Sequence, residues 1–303
     1  MLPPPPLFRC CALIATLLGG VSALPAGAGA ISTLDAAGER GCIPRPDALE
    51  SPVDRGVAGA TRDVSCYVTA RELARWRAGA ELVVVDSRPA AEFRRVRIPG
   101  SINLPLRSLL SRRYLKSRRV LLVDRGYLGA DLEAGCRELR SAGFVSVGII
   151  EGGLNAWAQT MGDLEGDRLE RNALNRIPAG ELALVTRFDH WLVVDVSAAV
   201  APDLEELLPG AVRVPLRGDP AAFRRDLGAA IQAREGGRGA LFVAVVEDDG
   251  GRYDEVSRAL SSLGVVHAFF LEGGLDAYRS LHAAERARLA QALVLGGPYC
   301  EER

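Results

Sequence analysis

The sequence predicts an α/β protein of two tandem domains, each a small, mainly parallel sheet flanked by helices. Three observations carry this. Glu151-Gly152-Gly153-Leu154-Asn155-Ala156-Trp157 returns as Glu272-Gly273-Gly274-Leu275-Asp276-Ala277-Tyr278. Upstream, the apolar run Leu82-Val83-Val84-Val85-Asp86 is answered by Leu192-Val193-Val194-Asp195. Between them, Pro99-Gly100-Ser101-Ile102-Asn103-Leu104-Pro105-Leu106 is answered by Pro209-Gly210-Ala211-Val212-Arg213-Val214-Pro215-Leu216. A motif series that recurs in the same order marks an internal repeat, and repeats decide architecture.

The elements follow in order. Thr69-Ala70-Arg71-Glu72 has capping-box spacing, and Leu73 and Trp76 fall on one face of the helix it opens. Residues 81–86 hold an unbroken apolar run, Leu82 to Val85, ending in a carboxylate, as expected of a strand buried on both faces. Residues 120–123 read as a second buried strand. Leu132, Cys136 and Leu139 space the apolar face of a helix over 130–142, which Gly143 stops, and 145–150 is the next strand. Such alternation implies right-handed βαβ crossovers. The second copy predicts helix 181–185, strands 191–195 and 241–246, helix 255–263 and strand 267–271, with a last helix over 283–295. The predicted boundaries are a leader at 1–30, an irregular arm at 31–62, domain one at 63–160, a charged linker at 161–176, domain two at 177–282, and a C-terminal helix and tail at 283–303.

The chain has 303 residues and a formal net charge of -1, with no basic footprint for nucleic acid. Arg9 precedes a short apolar run and an Ala-rich exit, the pattern of a cleaved signal peptide, so the expected location is periplasmic or secreted. No membrane span is expected after cleavage. Cleavage removes Cys10 and Cys11 and leaves Cys42, Cys66, Cys136 and Cys300 as disulfide candidates. Cys42 and Cys300 suit pairing, Cys66 can join either, and Cys136 on its apolar helix face reads as core packing. No cofactor motif or metal-ligand spacing is present, so no cofactor and no metal is expected.

The order strand-Asp, Pro-Gly motif, strand, helix, strand, Glu-Gly-Gly resembles the rhodanese family in both copies. That resemblance implies a nucleophilic cysteine at the end of a central strand, held by loop amides as a thiolate or persulfide. Neither copy has one. In the first, the loop reads Asp124-Arg125-Gly126-Tyr127-Leu128-Gly129, with Asp124 where the nucleophile belongs. Equal spacing from the two Glu-Gly-Gly motifs places Val245 opposite Asp124, in Val245-Val246-Glu247-Asp248-Asp249-Gly250. Three consecutive acids there would repel an anionic sulfur donor; read as a cation site, their spacing fits no standard calcium loop. The first copy keeps Asp86-x-Arg88 and Glu92-Phe93, whereas Asp195-Val196-Ser197 lacks the arginine. Asp86 and Arg88 read foremost as a structural ion pair; together with Asp124 and Arg125 they are the candidate binding residues.

The expectation is an exported rhodanese-like protein that is inactive as a sulfurtransferase and acts as a binding or scaffold module. The expected partner is another periplasmic protein or a small sulfur-containing anion. Two alternatives stand beside it: a sulfurtransferase using a non-standard cysteine, and a thiol-disulfide exchange protein using Cys42, Cys66 or Cys300.

Overall fold

A computed structural model describes residues 63–294, except 69, 78–81, 128, 187 and 235–239. The leader, the arm, Cys42, Cys300 and Leu128 therefore lie outside the described residues.

The first half runs β1 (Tyr67–Val68), α1 (Ala70–Arg77), β2 (Leu82–Asp86), α2 (Ala90–Arg95), β3 (Val96–Arg97), β4 (Ile102–Asn103) and α3 (Leu106–Leu109). It continues with β5 (Arg119–Val123), α4 (Gly129–Ser141), β6 (Ser146–Ile150), α5 (Gly153–Thr160), β7 (Glu165–Gly166) and α6 (Arg168–Asn172). The second half runs β8 (Arg176–Ile177), α7 (Ala179–Val185), β9 (Trp191–Asp195), α8 (Leu204–Leu207) and β10 (Val212–Arg213). It ends with α9 (Pro220–Arg234), β11 (Phe242–Val246), α10 (Tyr253–Ser262), β12 (Ala268–Leu271) and α11 (Gly274–Val294).

Two five-stranded sheets result, ordered β1-β6-β5-β2-β4 and β8-β12-β11-β9-β10. All their pairings are parallel. Counted along the chain within each half, both sheets have the order first-fifth-fourth-second-third, so the repeat in sequence is a repeat in topology.

The central strands are apolar between their ends because helices cover both faces. Alternate residues point to opposite sides. Val243, Val245 and Phe270 meet Phe223, Leu227 and Ile231 of α9 and Val256 and Leu260 of α10. Phe242, Ala244, Val246 and Phe269 meet α7 and Leu275 and Tyr278 of α11. In the first sheet Val120, Leu122, Val147 and Ile149 face α4, while Leu121, Val123 and Ile150 face Leu154 and Trp157 of α5.

Several elements differ from expectation. Residues 161–176, read as a linker, carry β7, which pairs antiparallel with β3, and begin β8, the edge strand of the second sheet. Both strands are two residues long, too short for periodicity to reveal. Helix α11 runs unbroken from the second Glu-Gly-Gly motif, because no glycine or proline interrupts 275–294. Helix α9 is unanticipated, although Phe223, Leu227 and Ile231 recur every four residues.

Cys66 and Cys136 form a disulfide, with Cα atoms 6.3 Å apart and a sequence separation of 70. This corrects the assignment of Cys136 to plain packing and of Cys66 to Cys42 or Cys300. The apolar face of α4 points at the 3-10 turn Val64–Cys66, so the thiol that packs there also meets a partner. Closing a loop of that length contributes about 4 kcal/mol in the chain-entropy account.

Candidate functional site

The site lies at the carboxyl ends of the first sheet's strands, where open parallel sheets place their ligands. Asp86 ends β2 and is fully buried. Arg88 folds back on it: Nε donates to Oδ1 at 3.0 Å and Nη2 to Oδ2 at 2.7 Å, while Nη2 also donates to the Val96 carbonyl at 2.6 Å. Asn103 Nδ2 ties the carbonyls of Asp86 and Arg88 together at 2.9 and 2.7 Å. Both Asp86 carboxylate oxygens and the Arg88 Nε and Nη2 donors are thus used internally, and the pair acts as framework.

The second copy keeps this arrangement by another route. Asp195 and Arg213 are register partners, as Asp86 and Asn103 are. Arg213 Nε lies 3.3 Å from Asp195 Oδ2, and its Nη2 donates to the Ser197 carbonyl at 3.1 Å. The arginine missing from the loop is supplied by the neighbouring strand, at the position that is Asn103 in the first copy. What reads as decay in sequence is a relocated ion pair.

After β5 the chain turns sharply at Asp124-Arg125-Gly126-Tyr127. Asp124 Oδ1 accepts the Gly126 N–H at 2.8 Å, and the Asp124 carbonyl accepts the Leu154 N–H at 3.0 Å. Gly126 has φ +107°, and a Cβ there would collide with the Gly152 carbonyl; one on Gly153, at φ +55°, would meet the Asp124 carbonyl. The Glu-Gly-Gly motif and the loop therefore pack backbone to backbone, which only glycine permits.

Arg125 Nε donates to Glu92 Oε2 at 2.8 Å. Tyr127 is buried and joins the core of the second sheet, edge-on to Phe269 with ring centroids 5.6 Å apart. Burial pushes its phenol up to about 12, against the nearby Arg125 charge. The same interface continues along α5, where Asn155 Nδ2 donates to the Ala268 carbonyl at 3.2 Å and Gln159 Nε2 to the Val266 carbonyl at 2.9 Å. Sequence reasoning missed that the loop is a joint between domains; the tyrosine among polar residues was its one signal.

Register corrects the second loop. Val123 pairs with Asp86 and Val246 with Asp195, so Glu247, not Val245, stands opposite Asp124. Val245 and Val246 are interior strand residues with no exposure. Counting from Glu-Gly-Gly goes astray because α10 has 10 residues and α4 has 13. Glu247 is buried and turns inward, accepting the Arg252 N–H at 2.9 Å just before α10. Asp249 accepts the Gly251 N–H at 2.9 Å, closing the acidic turn through Asp248 and Gly250. Among the described residues no group of His, Cys, Asp and Glu is arranged to hold a metal ion.

Asp124 lines two cavities, of about 420 and about 560 Å³, together with Tyr127, Asp131 and Leu132. Asp124 is only partly exposed, and what access it keeps is at these cavities. Desolvation pushes it up to about 7, with the Asp86 charge adding to the effect and the Gly126 N–H and Arg88 opposing it. Burial likewise raises Glu247. The sign follows from linkage: a carboxyl raised in the folded state binds more protons than in the unfolded chain, so stability falls as pH rises from about 4 to about 7. Asp124→Asn keeps the acceptor for Gly126 and removes the titration. Its stability relative to the parent, from urea midpoints, should rise by about 1–2 kcal/mol between about pH 5 and about pH 8. An unchanged difference would show that Asp124 is ionised throughout.

The sequence model of the rhodanese-like domain matches residues 69–160. No curated protein matches the chain's sequence. Among solved structures, the rhodanese-like domain of a protein from Anabaena sp. is 28% identical, covering 33% of this chain and 79% of that one, with a TM-score of 0.29. Thiosulfate sulfurtransferase from Pseudomonas aeruginosa is 22% identical over 70% of this chain and 42% of that one, with a TM-score of 0.28. SseA from Escherichia coli, of the 3-mercaptopyruvate sulfotransferases, is 20% identical over 69% of this chain and 98% of that one, with a TM-score of 0.27.

Proposed function

We propose, from the premise that residues 69–160 form a rhodanese-like domain, that this protein is an exported binding or scaffold module without sulfurtransferase turnover, built from two such domains in tandem. One observation carries the reading: both strand-end positions hold carboxylates, Asp124 and Glu247, each engaged with a backbone N–H of its own loop. A carboxylate cannot form a persulfide. The only cysteines among the described residues, Cys66 and Cys136, are buried and joined to each other, which disfavours both a substitute nucleophile and thiol-disulfide exchange through Cys66. Tyr127 supports the same reading, since it spends the loop on domain contact.

The disulfide suits an oxidising compartment and agrees with the leader-like N-terminus. Another periplasmic protein is the proposed partner. A small sulfur-containing anion is the second candidate, since the cavities it would enter are lined by Asp124, Asp131 and Glu181 but also by Arg88, Arg107, Arg125 and Arg137. A thiosulfate:cyanide assay on the purified chain tests the proposal. The expected result is no thiocyanate above the protein-free background and no one-sulfur mass adduct; turnover removed by a single Cys→Ser change would overturn it.

A further inference from the structure

The smaller cavity has two unlike walls. The first domain contributes Asp124, Asp131 and Glu133, and the second contributes Phe188, Trp191 and Phe242. Trp191 and Phe242 are held by the second core with centroids 5.1 Å apart, so the ring wall is fixed before any ligand arrives. His190 sits between Phe188 and Phe242, 5.6 and 5.5 Å from their centroids. One cationic side chain lines the space, Arg137, and the Asp63 carboxylate lies 3.8 Å from its Nη1. Glu133 accepts the Tyr67 hydroxyl at 2.7 Å and the Asp63 N–H at 3.1 Å, leaving Asp124 and Asp131 as the charges facing the cavity. At about 420 Å³ the cavity falls in the small-molecule range.

Rings attract a cation by their faces, carboxylates attract it by charge, and both effects strengthen away from bulk water. We propose that this interdomain cavity binds a small organic cation, an amine or quaternary ammonium with an apolar body, whose charge meets Asp124 and Asp131 and whose body packs on Phe188, Trp191 and Phe242. The inference rests on the non-catalytic reading above, since it gives the carboxylate that replaces the nucleophile a binding task. It also inverts the charge preference that the family resemblance implies.

Calorimetric titration of the purified chain at about pH 8, where Asp124 is ionised, tests it with three probes of one shape: phenethylammonium, 2-phenylethanol and phenylacetate. The cation should bind at least about tenfold more tightly than the neutral alcohol, and the anion more weakly than either. Asp131 is exposed, so Asp131→Asn leaves the fold intact; it should weaken the cation about three- to tenfold and leave the alcohol unchanged. Leu184, 45% exposed at the cavity, gives a second variant: Leu184→Lys should abolish cation binding. Equal affinity for the three probes, no binding, or cation binding indifferent to both variants would overturn the inference. The sulfur-transfer assay on the same preparation separates the two failures. Turnover removes the non-catalytic reading on which the inference rests, whereas no turnover and no cation preference removes the ligand class alone.

Discussion

Arg88→Ala is expected to destabilise the protein by about 3–5 kcal/mol, because it leaves a fully buried Asp86 carboxylate without its partner. Arg88 also holds the Val96 carbonyl, so the start of β3 loses its anchor to the β2 end. Urea unfolding monitored by circular dichroism gives the value. Arg213→Ala is the internal control: Asp195 is as buried as Asp86, but the Arg213 side chain is 26% exposed, and the cost should be smaller. A loss below about 1 kcal/mol for Arg88→Ala would refute the role of Arg88 as the partner that offsets burial of Asp86.

Tyr127→Ala is expected to cost about 3–5 kcal/mol, the range for truncating a well-packed aromatic. The location of the damage matters more than its size. Tyr127 belongs by sequence to the first domain's loop and by packing to the second sheet's core. Hydrogen exchange should therefore show lost protection in β9, β11 and β12, with β2 and β6 changed less. Tyr127→Phe keeps the ring and should cost no more than about 1 kcal/mol. Damage confined to the first domain would refute the role of this loop as an interdomain joint.

Much of the fold was legible because its signals are local. The runs at Leu82–Asp86 and Trp191–Asp195 are apolar up to their final carboxylate and Phe242–Val246 is apolar throughout, and burial on both faces of a parallel sheet leaves that mark directly in the chain. The two-residue strands β7 and β8 carry no such mark, since pairing and not side-chain pattern defines them. The candidate site was legible only as residues. Asp124, Arg125 and Tyr127 could be named, while their assignments to an internal N–H, to Glu92 and to Phe269 depend on partners far away in sequence.

By itself the sequence determined a twofold repeat of parallel α/β units, an intact Glu-Gly-Gly framework, and the absence of cysteine from either loop. These are matters of composition and period within a few dozen residues. Only the tertiary structure decided that Glu247 matches Asp124, that Arg213 replaces the missing loop arginine, that Cys66 meets Cys136, and that Tyr127 crosses into the other core. Each of these is a contact fixed by sheet register or domain docking. Register and docking are set by the sum of burial across whole surfaces, which no short stretch of sequence records.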